Sequence, residues 1–150
     1  MNPLGLYVHV PFCRRRCPYC DFAIHVGAGE ALRSRYVAAL HRELASVLSN
    51  APRPLTTIFV GGGTPTAISV SQLRDTLRMI GDAAEVADDA EISLESNPED
   101  LTPGVLQGLQ EAGFNRLSLG AQSLDDATLR GLGRAHRAAD VERVVRDAGA

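Results

Sequence analysis

Short apolar runs alternate with longer segments of helical periodicity along most of this chain. The runs lie at 6–10, 57–60, 91–95 and 116–119. Each is followed by apolar residues three or four positions apart, a spacing that predicts an amphipathic helix. The predicted helices lie at about 31–48, 71–80, 103–112 and 138–148, with a shorter helical stretch at 124–132. Strands that alternate with helices are typical of parallel βαβ units, so the pattern predicts an α/β fold with four βα units.

The same pattern predicts where helices begin and which side they bury. The first helix is predicted to present one apolar face made of Leu32, Tyr36, Leu40, Leu44 and Leu48. The last helix is predicted to bury Val141, Val144, Val145 and Ala148. Ser71 is the predicted N-cap of the second helix, and Thr102 with Pro103 opens the third. The segments 49–54 and 83–90 are interpreted as surface connections.

The fourth predicted strand has no predicted neighbour on its outer side. A parallel sheet edge is rarely left uncovered in a complete domain. We therefore expect the chain to be part of a longer domain, with its remaining elements downstream.

Composition and charge narrow the functional class. The 150 residues suffice for one domain with a core, and the net charge of −3 predicts no basic surface for nucleic acid. No apolar run approaches the roughly 20 residues of a membrane span. The first residues resemble no signal peptide. The sequence thus favours a cytoplasmic protein that spans no membrane and binds no nucleic acid.

Three cysteines follow the first strand in the pattern Cys13-x-x-x-Cys17-x-x-Cys20. In a reducing compartment, clustered thiols are more often metal ligands than disulfides. Three thiolates can hold three irons of a cubane iron–sulfur cluster, which leaves the fourth iron open to a sulfonium cofactor. A structural zinc site with His9 or His25 as fourth ligand, and a redox-active thiol cluster, remain alternatives.

Other unusual residues follow the later predicted strands, where ligands of parallel α/β proteins bind. The glycines of Gly61-Gly62-Gly63-Thr64-Pro65 allow a ligand to approach the backbone, although a tight turn also explains them. Glu95 could meet an ammonium group or ribose hydroxyls, and Gln122 and Arg134 could contact a second ligand. Solvated surface side chains are the alternative for these three.

The basic and imidazole side chains have simpler interpretations. The residues 14–16, three arginines, fit an anionic cluster and its electron donor, or an exposed loop. His9 is interpreted as a core or rim side chain, His41 as solvated, and His136 as packing a loop.

Five ordered motifs resemble the oxygen-independent coproporphyrinogen III oxidase family of radical S-adenosylmethionine (SAM) proteins. The motifs are Tyr7-Val-His-Val-Pro-Phe-Cys13 with Cys17-Pro-Tyr-Cys20, Gly61 to Pro65, Glu95-Ser-Asn-Pro98, Arg116-Leu-Ser-Leu-Gly-Ala-Gln122-Ser, and Leu132-Gly-Arg-Ala-His136. They cover nearly the whole chain. The resemblance implies an incomplete (βα)6 radical SAM barrel, of which residues 1–150 form the N-terminal part of the core domain.

The resemblance also implies a set of site residues. It implies that Cys13, Cys17 and Cys20 bind a [4Fe–4S] cluster. It implies contacts to the SAM on the open iron for Tyr7, Gly62 and Glu95. It implies contacts around a second SAM or the substrate space for Tyr19, Gly63, Thr64, Gln122 and Arg134.

One local difference separates two branches of this family. The oxidases resemble Cys-x-x-x-Cys-x-x-Cys-x-Cys, whereas this chain has Asp21 and Phe22 after Cys20, as the heme chaperone branch does. We therefore expect a heme chaperone that uses SAM, carries heme as cargo and passes it to respiratory proteins. An electron donor such as flavodoxin or ferredoxin is implied. The alternative is an oxidase that converts coproporphyrinogen III to protoporphyrinogen IX in porphyrin biosynthesis.

Overall fold

Strands and helices alternate along the fold, which a computed structural model describes for residues 3–149. The strands are β1 (Leu4–Val10), β2 (Phe12–Cys13), β3 (His25–Val26), β4 (Leu55–Gly62), β5 (Val86–Ser96) and β6 (Arg116–Leu119). The helices are α1 (Glu30–Leu48), α2 (Val70–Ala83), α3 (Pro103–Ala112), α4 (Asp126–Gly131) and α5 (Ala138–Ala148). Two 3₁₀ turns lie at Pro65–Ala67 and Pro98–Asp100. The predicted α/β alternation is confirmed.

The main sheet is parallel and has the order β1-β4-β5-β6. Val8 lies beside Val60, Val60 beside Leu94, and Leu94 beside Leu117. The first three are at most 1% exposed, because the helices cover this face of the sheet. Since side chains alternate across a strand, the neighbouring residues lie on the opposite face. That second face carries Tyr7, Phe59 and Glu95.

The buried face of α1 differs from the predicted one. The buried residues are Val37, Leu40, Leu44 and Leu48, whereas Leu32 is 40% exposed. Residues four apart turn by roughly 40° more than a full turn at each step, so a strict four-residue series leaves the buried face. Tyr36 is half-buried and donates its hydroxyl to the His9 carbonyl at 2.6 Å.

The N-cap of α2 was predicted two residues too late. Ser69, and not Ser71, is the N-cap. Its Oγ accepts a hydrogen bond from the Gln72 N–H at 3.2 Å, and Gln72 Oε1 accepts from the Ser69 N–H at 2.9 Å. This reciprocal pair is a capping box, which satisfies two backbone donors at once.

Two further predictions were wrong. Much of the segment 83–90 is not a surface connection, since β5 begins at Val86 and reaches the sheet through a register shift opposite Leu55–Thr57. In α5, Val144 is fully buried but Val145 is 63% exposed and Ala148 is also exposed. Consecutive helical residues point about 100° apart, so Val144 and Val145 cannot both face the core.

Within residues 3–149, every helix is too short or too polar to cross a membrane.

Candidate metal and cofactor site

A cavity of about 350 Å³ opens at the carboxyl ends of the main strands. Its walls come from the cysteine loop, the segment after β4, the end of β5 and the loops after β6. The predicted site residues on its walls are Cys13, Cys17, Tyr19, Cys20, Gly62, Gly63, Thr64, Glu95, Gln122 and Arg134. The topology therefore brings together side chains as far apart in the chain as Cys13 and Arg134.

The cysteine loop is anchored at both ends. Phe12 and Cys13 pair with His25 and Val26 as the short parallel strands β2 and β3, and the His25 N–H donates to the Pro11 carbonyl at 2.7 Å. Phe12 is 2% exposed. This apolar anchor fixes the start of the loop against the core while the thiols stay at the cavity.

The three thiols are free and half-buried. Cys13 Sγ lies 3.5 Å from Thr64 Oγ1, and Arg134 Nη1 donates to Cys17 Sγ at 3.5 Å. Burial raises the pKa of the Cys13 thiol, the hydrogen bond from Thr64 opposes that rise, and the charges of Cys20 and Cys17 add to it. The chain alone thus disfavours the thiolate form of Cys13, an effect that a cationic metal group would reverse.

The donor set fits a soft metal group. Across residues 3–149, no three His, Cys, Asp or Glu side chains are grouped closely enough to hold a single metal ion. The thiols instead share the walls of one cavity. Gly63 leaves room beside them, because a Cβ at this position would lie 3.0 Å from Cys13 Sγ and 2.8 Å from the Phe12 carbonyl oxygen. Three thiols around such a cradle suit an iron–sulfur cluster.

The glycine segment, which begins with the last two residues of β4, is held by the strand and loop beside it. The Gly63 N–H donates to the Val10 carbonyl at 2.9 Å, and the Thr64 N–H donates to the Phe12 carbonyl at 2.8 Å. Gly62 has a φ of 114°, and a Cβ there would lie 2.6 Å from His9 Cε1. Glycine is therefore required at position 62 both by its backbone conformation and by the adjacent imidazole.

Glu95 lies at the end of β5, where its Oε2 accepts a hydrogen bond from the Gly62 N–H at 3.1 Å. Tyr7 lies outside the cavity walls and is 55% exposed on the same face of the sheet. Its ring stacks on Phe59 and its hydroxyl bonds His9 Nδ1 at 2.9 Å. Burial and then the Glu95 carboxylate raise the pKa of Tyr7. The structure thus places Glu95 at the cavity and Tyr7 beside it.

Arg134 reaches the cavity from the loop after α4. Its Nη2 donates to Asn97 Oδ1 at 2.5 Å and to the Gly120 carbonyl at 2.9 Å, and its Nη1 lies 3.4 Å from the Tyr19 hydroxyl. Gln122 lies on the cavity wall and has a φ of 64°, a left-handed conformation that is uncommon outside glycine. Both loops after β6 therefore contribute polar groups to the same cavity.

The cavity is also lined by residues that the sequence analysis did not assign to the site, among them Asn97 and Asp100. Asn97 donates its Nδ2 to Thr64 Oγ1 at 3.1 Å, in addition to accepting from Arg134. Asp100 pairs with Arg14 at 2.8 Å, and its side chain is 5% exposed. The sequence signal for Asn97 was its place in Glu95-Ser-Asn-Pro98, where the dipeptide Asn-Pro also ends a strand.

The histidine interpretations are partly confirmed. His136 is 3% exposed and packs its loop, with ring nitrogens 3.1 Å from Glu99 Oε2 and 2.9 Å from the Ala121 carbonyl oxygen. His9 is a rim side chain whose Nε2 lies 3.2 Å from the Ala23 carbonyl oxygen. The interpretation of His41 as solvated was wrong, because its Nε2 bonds Thr76 Oγ1 in α2 at 2.9 Å.

A parallel α/β domain with three thiols and a glycine segment around one cavity defines the class of a cofactor-dependent metalloprotein. Residues 7–150 match the model of the Radical SAM superfamily, and the chain belongs to this superfamily. Membership implies SAM and a [4Fe–4S] cluster as cofactors.

Curated relatives and a solved structure are also similar to this chain. It is 40% identical to the heme chaperone HemW of Bacillus subtilis over 90% of the chain and 36% of that relative. It is 38% identical to HemW of Escherichia coli over 97% of the chain and 39% of the relative. The structure of coproporphyrinogen III oxidase (HemN) from Escherichia coli, described as a radical SAM enzyme, matches with a TM-score of 0.90 and 31% identity.

The solved structure tests the predicted fold. The match covers 98% of this chain and 34% of the HemN chain. It confirms the α/β fold as an incomplete radical SAM barrel. The chain spans about two-fifths or less of the length of the proteins it matches.

Proposed function

We propose that this chain is the N-terminal part of the radical SAM core domain of a heme chaperone, which binds heme and delivers it to respiratory proteins. One observation carries the proposal. Cys13, Cys17 and Cys20 lie on the walls of a cavity that also holds the glycine segment and Glu95. Thiols beside a backbone-lined groove and a carboxylate suit a cluster next to a cofactor with an amino-acid end.

In this proposal, the three thiols hold the [4Fe–4S] cluster. When bound, the cluster supplies the electron that cleaves SAM. The chain's own residues bind and orient the cofactor. Gly62 and Glu95 contact the SAM, and their mutual hydrogen bond of 3.1 Å fixes the carboxylate against the glycine backbone. Tyr7, on the adjacent strand β1, completes this side of the site.

A second group of cavity-lining residues is proposed to receive a second SAM or part of the substrate. Arg134 is half-buried and offers a fixed guanidinium near Tyr19. Thr64 is 6% exposed and lies beside Gly63, and Gln122 lines the cavity from the loop after β6. Such groups fit the carboxylates and carbonyls of a bound molecule.

Two observations favour a chaperone. The HemW relatives share 38–40% identity with the chain. Position 22, two residues after Cys20, carries an exposed Phe22 where the oxidase pattern has a further cysteine. The proposal includes heme as cargo, an electron donor such as flavodoxin or ferredoxin, respiratory acceptors and a cytoplasmic location.

An oxygen-independent coproporphyrinogen III oxidase is the second candidate. The observation that favours it is the likeness to the HemN structure, with a TM-score of 0.90. The two candidates share the cluster site and differ in what they do with the porphyrin.

The cluster site is tested first, on the complete gene product. After anaerobic reconstitution with iron and sulfide, we expect about four irons per chain and an EPR signal of the reduced cluster that changes when SAM is added. The zinc-loaded protein is the control. Stoichiometric zinc binding with no iron uptake, or a cluster indifferent to SAM, would contradict the radical SAM assignment.

The two functions are then separated with the reconstituted protein. A chaperone binds heme in a saturable way and yields no protoporphyrinogen IX from coproporphyrinogen III in the presence of SAM and a reductant. Formation of protoporphyrinogen IX over many turnovers would establish the oxidase instead. The Cys17→Ser variant serves as the control that lacks the cluster.

A further inference from the structure

A chain of hydrogen bonds joins two of the three cysteines through Asn97. Cys13 Sγ lies 3.5 Å from Thr64 Oγ1, which accepts from Asn97 Nδ2 at 3.1 Å. On the other side, Asn97 Oδ1 accepts from Arg134 Nη2 at 2.5 Å, and Arg134 Nη1 donates to Cys17 Sγ at 3.5 Å. Asn97 therefore belongs to two branches of hydrogen bonds, one through Thr64 to Cys13 and one through Arg134 to Cys17.

The chemistry of these groups fixes the direction of each bond. A guanidinium has donors alone, so Arg134 donates to both Asn97 and Cys17. The carbonyl oxygen of the Asn97 amide must face Arg134, which turns its NH₂ group towards Thr64. Since the Thr64 oxygen already accepts from Asn97, its single proton is free for Cys13. Each of the two sulfurs thus receives one donor.

The residues that form this series of hydrogen bonds have little freedom to move. Thr64 is 6% exposed. The backbone carbonyl of Asn97 accepts from the Asp100 N–H at 3.1 Å, which closes the 3₁₀ turn after β5. Arg134 is held a second time by the Gly120 carbonyl at 2.9 Å, and a Cβ at Gly120 would lie 3.1 Å from Asn97 Oδ1. The donors are therefore fixed before any metal group binds.

We propose that Asn97 is a positioning residue for the cluster, which acts through Thr64 and Arg134 to direct one hydrogen-bond donor to Cys13 and one to Cys17. The proposal rests on the proposed function, in which these cysteines are cluster ligands. Reduction adds negative charge to an iron–sulfur cluster, and donors to its sulfur atoms stabilise that charge. The two branches therefore raise the reduction potential of the cluster.

Asn97→Asp keeps the acceptor end of the amide and removes its donor end, with almost no change in size. A carboxylate still accepts from Arg134, but it cannot donate to Thr64. The Thr64 proton then turns towards the new carboxylate, and Cys13 loses its donor. We expect the complete gene product with this substitution to bind the cluster at a midpoint potential more negative than that of the wild type. The measurement is a redox titration followed by the EPR signal of the reduced cluster.

A second pair of variants tests the Thr64 branch. Thr64→Val removes the hydroxyl with little change in shape, and Thr64→Ser retains it. We expect a more negative potential for Thr64→Val and a potential near the wild-type value for Thr64→Ser. If Asn97→Asp does not fold, this pair still decides the matter, since equal potentials in wild type and Thr64→Val would overturn the proposal.

The double variant distinguishes positioning from the mere charge of a new carboxylate. If Asn97 acts on Cys13 through Thr64, Asn97→Asp shifts the potential less in the Thr64→Val background than in the wild type. Fully additive shifts, or an unchanged potential in Asn97→Asp, would overturn the inference about Asn97. The proposed function would still stand in that case, provided that the wild-type cluster responds to SAM. A wild-type protein that takes up no cluster would instead overturn the proposed function itself.

Discussion

The two faces of the main sheet use neighbouring residues for different purposes. On the face that the helices cover, Val8 is 1% and Leu94 0% exposed. One position away on the opposite face, Tyr7 is 55% exposed and Glu95 accepts a hydrogen bond at the cavity. The period of two along a strand thus separates the residues that stabilise the fold from those that face a ligand. Substitutions on the two faces should have effects that differ in kind.

The largest expected effect is on metal binding. Cys17→Ser should lose essentially all cluster iron after anaerobic reconstitution, because two remaining thiolates cannot hold three irons. Its metal-free form should unfold at the same temperature as the metal-free wild type, since Cys17 lies in the loop and outside the buried core. Iron and thermal unfolding are measured on the same sample. A normal iron content would remove the cysteine loop from the proposed site.

The next largest effect is on the covered face. Leu94→Ala should destabilise the fold by about 2–5 kcal/mol, because it leaves a cavity under the helices. Leu124→Ala makes the same chemical change at a residue that is 68% exposed. It should change the free energy of unfolding by less than about 0.5 kcal/mol. Urea denaturation compares the two variants, and similar losses in both would contradict the burial of Leu94 under the helices.

Replacing either of two glycines by alanine should change the free energy of unfolding by a smaller amount, with opposite sign at the two positions. Gly62→Ala should destabilise by about 1–3 kcal/mol, since alanine is strained at a φ of 114° and its Cβ would meet His9. Gly81→Ala lies in α2 and has no atom within 4 Å of the added Cβ. There the change should stabilise by about 0.5–1 kcal/mol, because alanine favours the helix. Destabilisation by both substitutions in urea titrations would mean that the strain at Gly62 is not specific.

Much of the fold could be predicted because its signals are local. The hydrophobic periodicity that is typical of strands and helices was enough to locate most of the elements. The first half of β5 could not be found in this way, since Asp88 and Asp89 disfavour strands and lie in the register shift between Val86 and Glu91, which pair with Leu55 and Thr57 of β4. The exposure of Val145 likewise depends on which side of α5 meets the core, and two adjacent valines do not specify that side.

The candidate site was predictable where the residue types are themselves unusual. Three close cysteines, a glycine triplet and a carboxylate at the end of an apolar strand stand out in the sequence. Asn97 does not stand out. Its two partners, Thr64 and Arg134, are 33 and 37 positions away, and only the folded chain shows that it contacts both. The motif Glu95-Ser-Asn-Pro98 contains Asn97, but nothing in the motif shows that the role of this residue lies in such distant contacts.

The smallest expected effect is on the pH dependence of folding stability, to which two carboxylates should contribute with opposite sign. Burial raises the pKa of Asp100, which the neighbouring Arg14 opposes. A hydrogen bond of 2.7 Å from the Thr128 N–H, at the start of α4, lowers the pKa of Asp125. Asp100 therefore binds its proton more tightly in the folded than in the unfolded state, and Asp125 binds it less tightly.

These pKa shifts predict how the contribution of each carboxylate to folding stability changes with pH. The contribution of Asp100 to stability is lost as the pH rises from the ordinary aspartate pKa through the raised value. The contribution of Asp125 is present above the ordinary value and is lost as the pH falls through the lowered one. Asp100→Asn should thus make stability fall less as the pH rises, and Asp125→Asn should make it fall less on acidification. Unfolding free energies measured across acidic pH test both, and the same sign for the two variants would contradict the assigned environments.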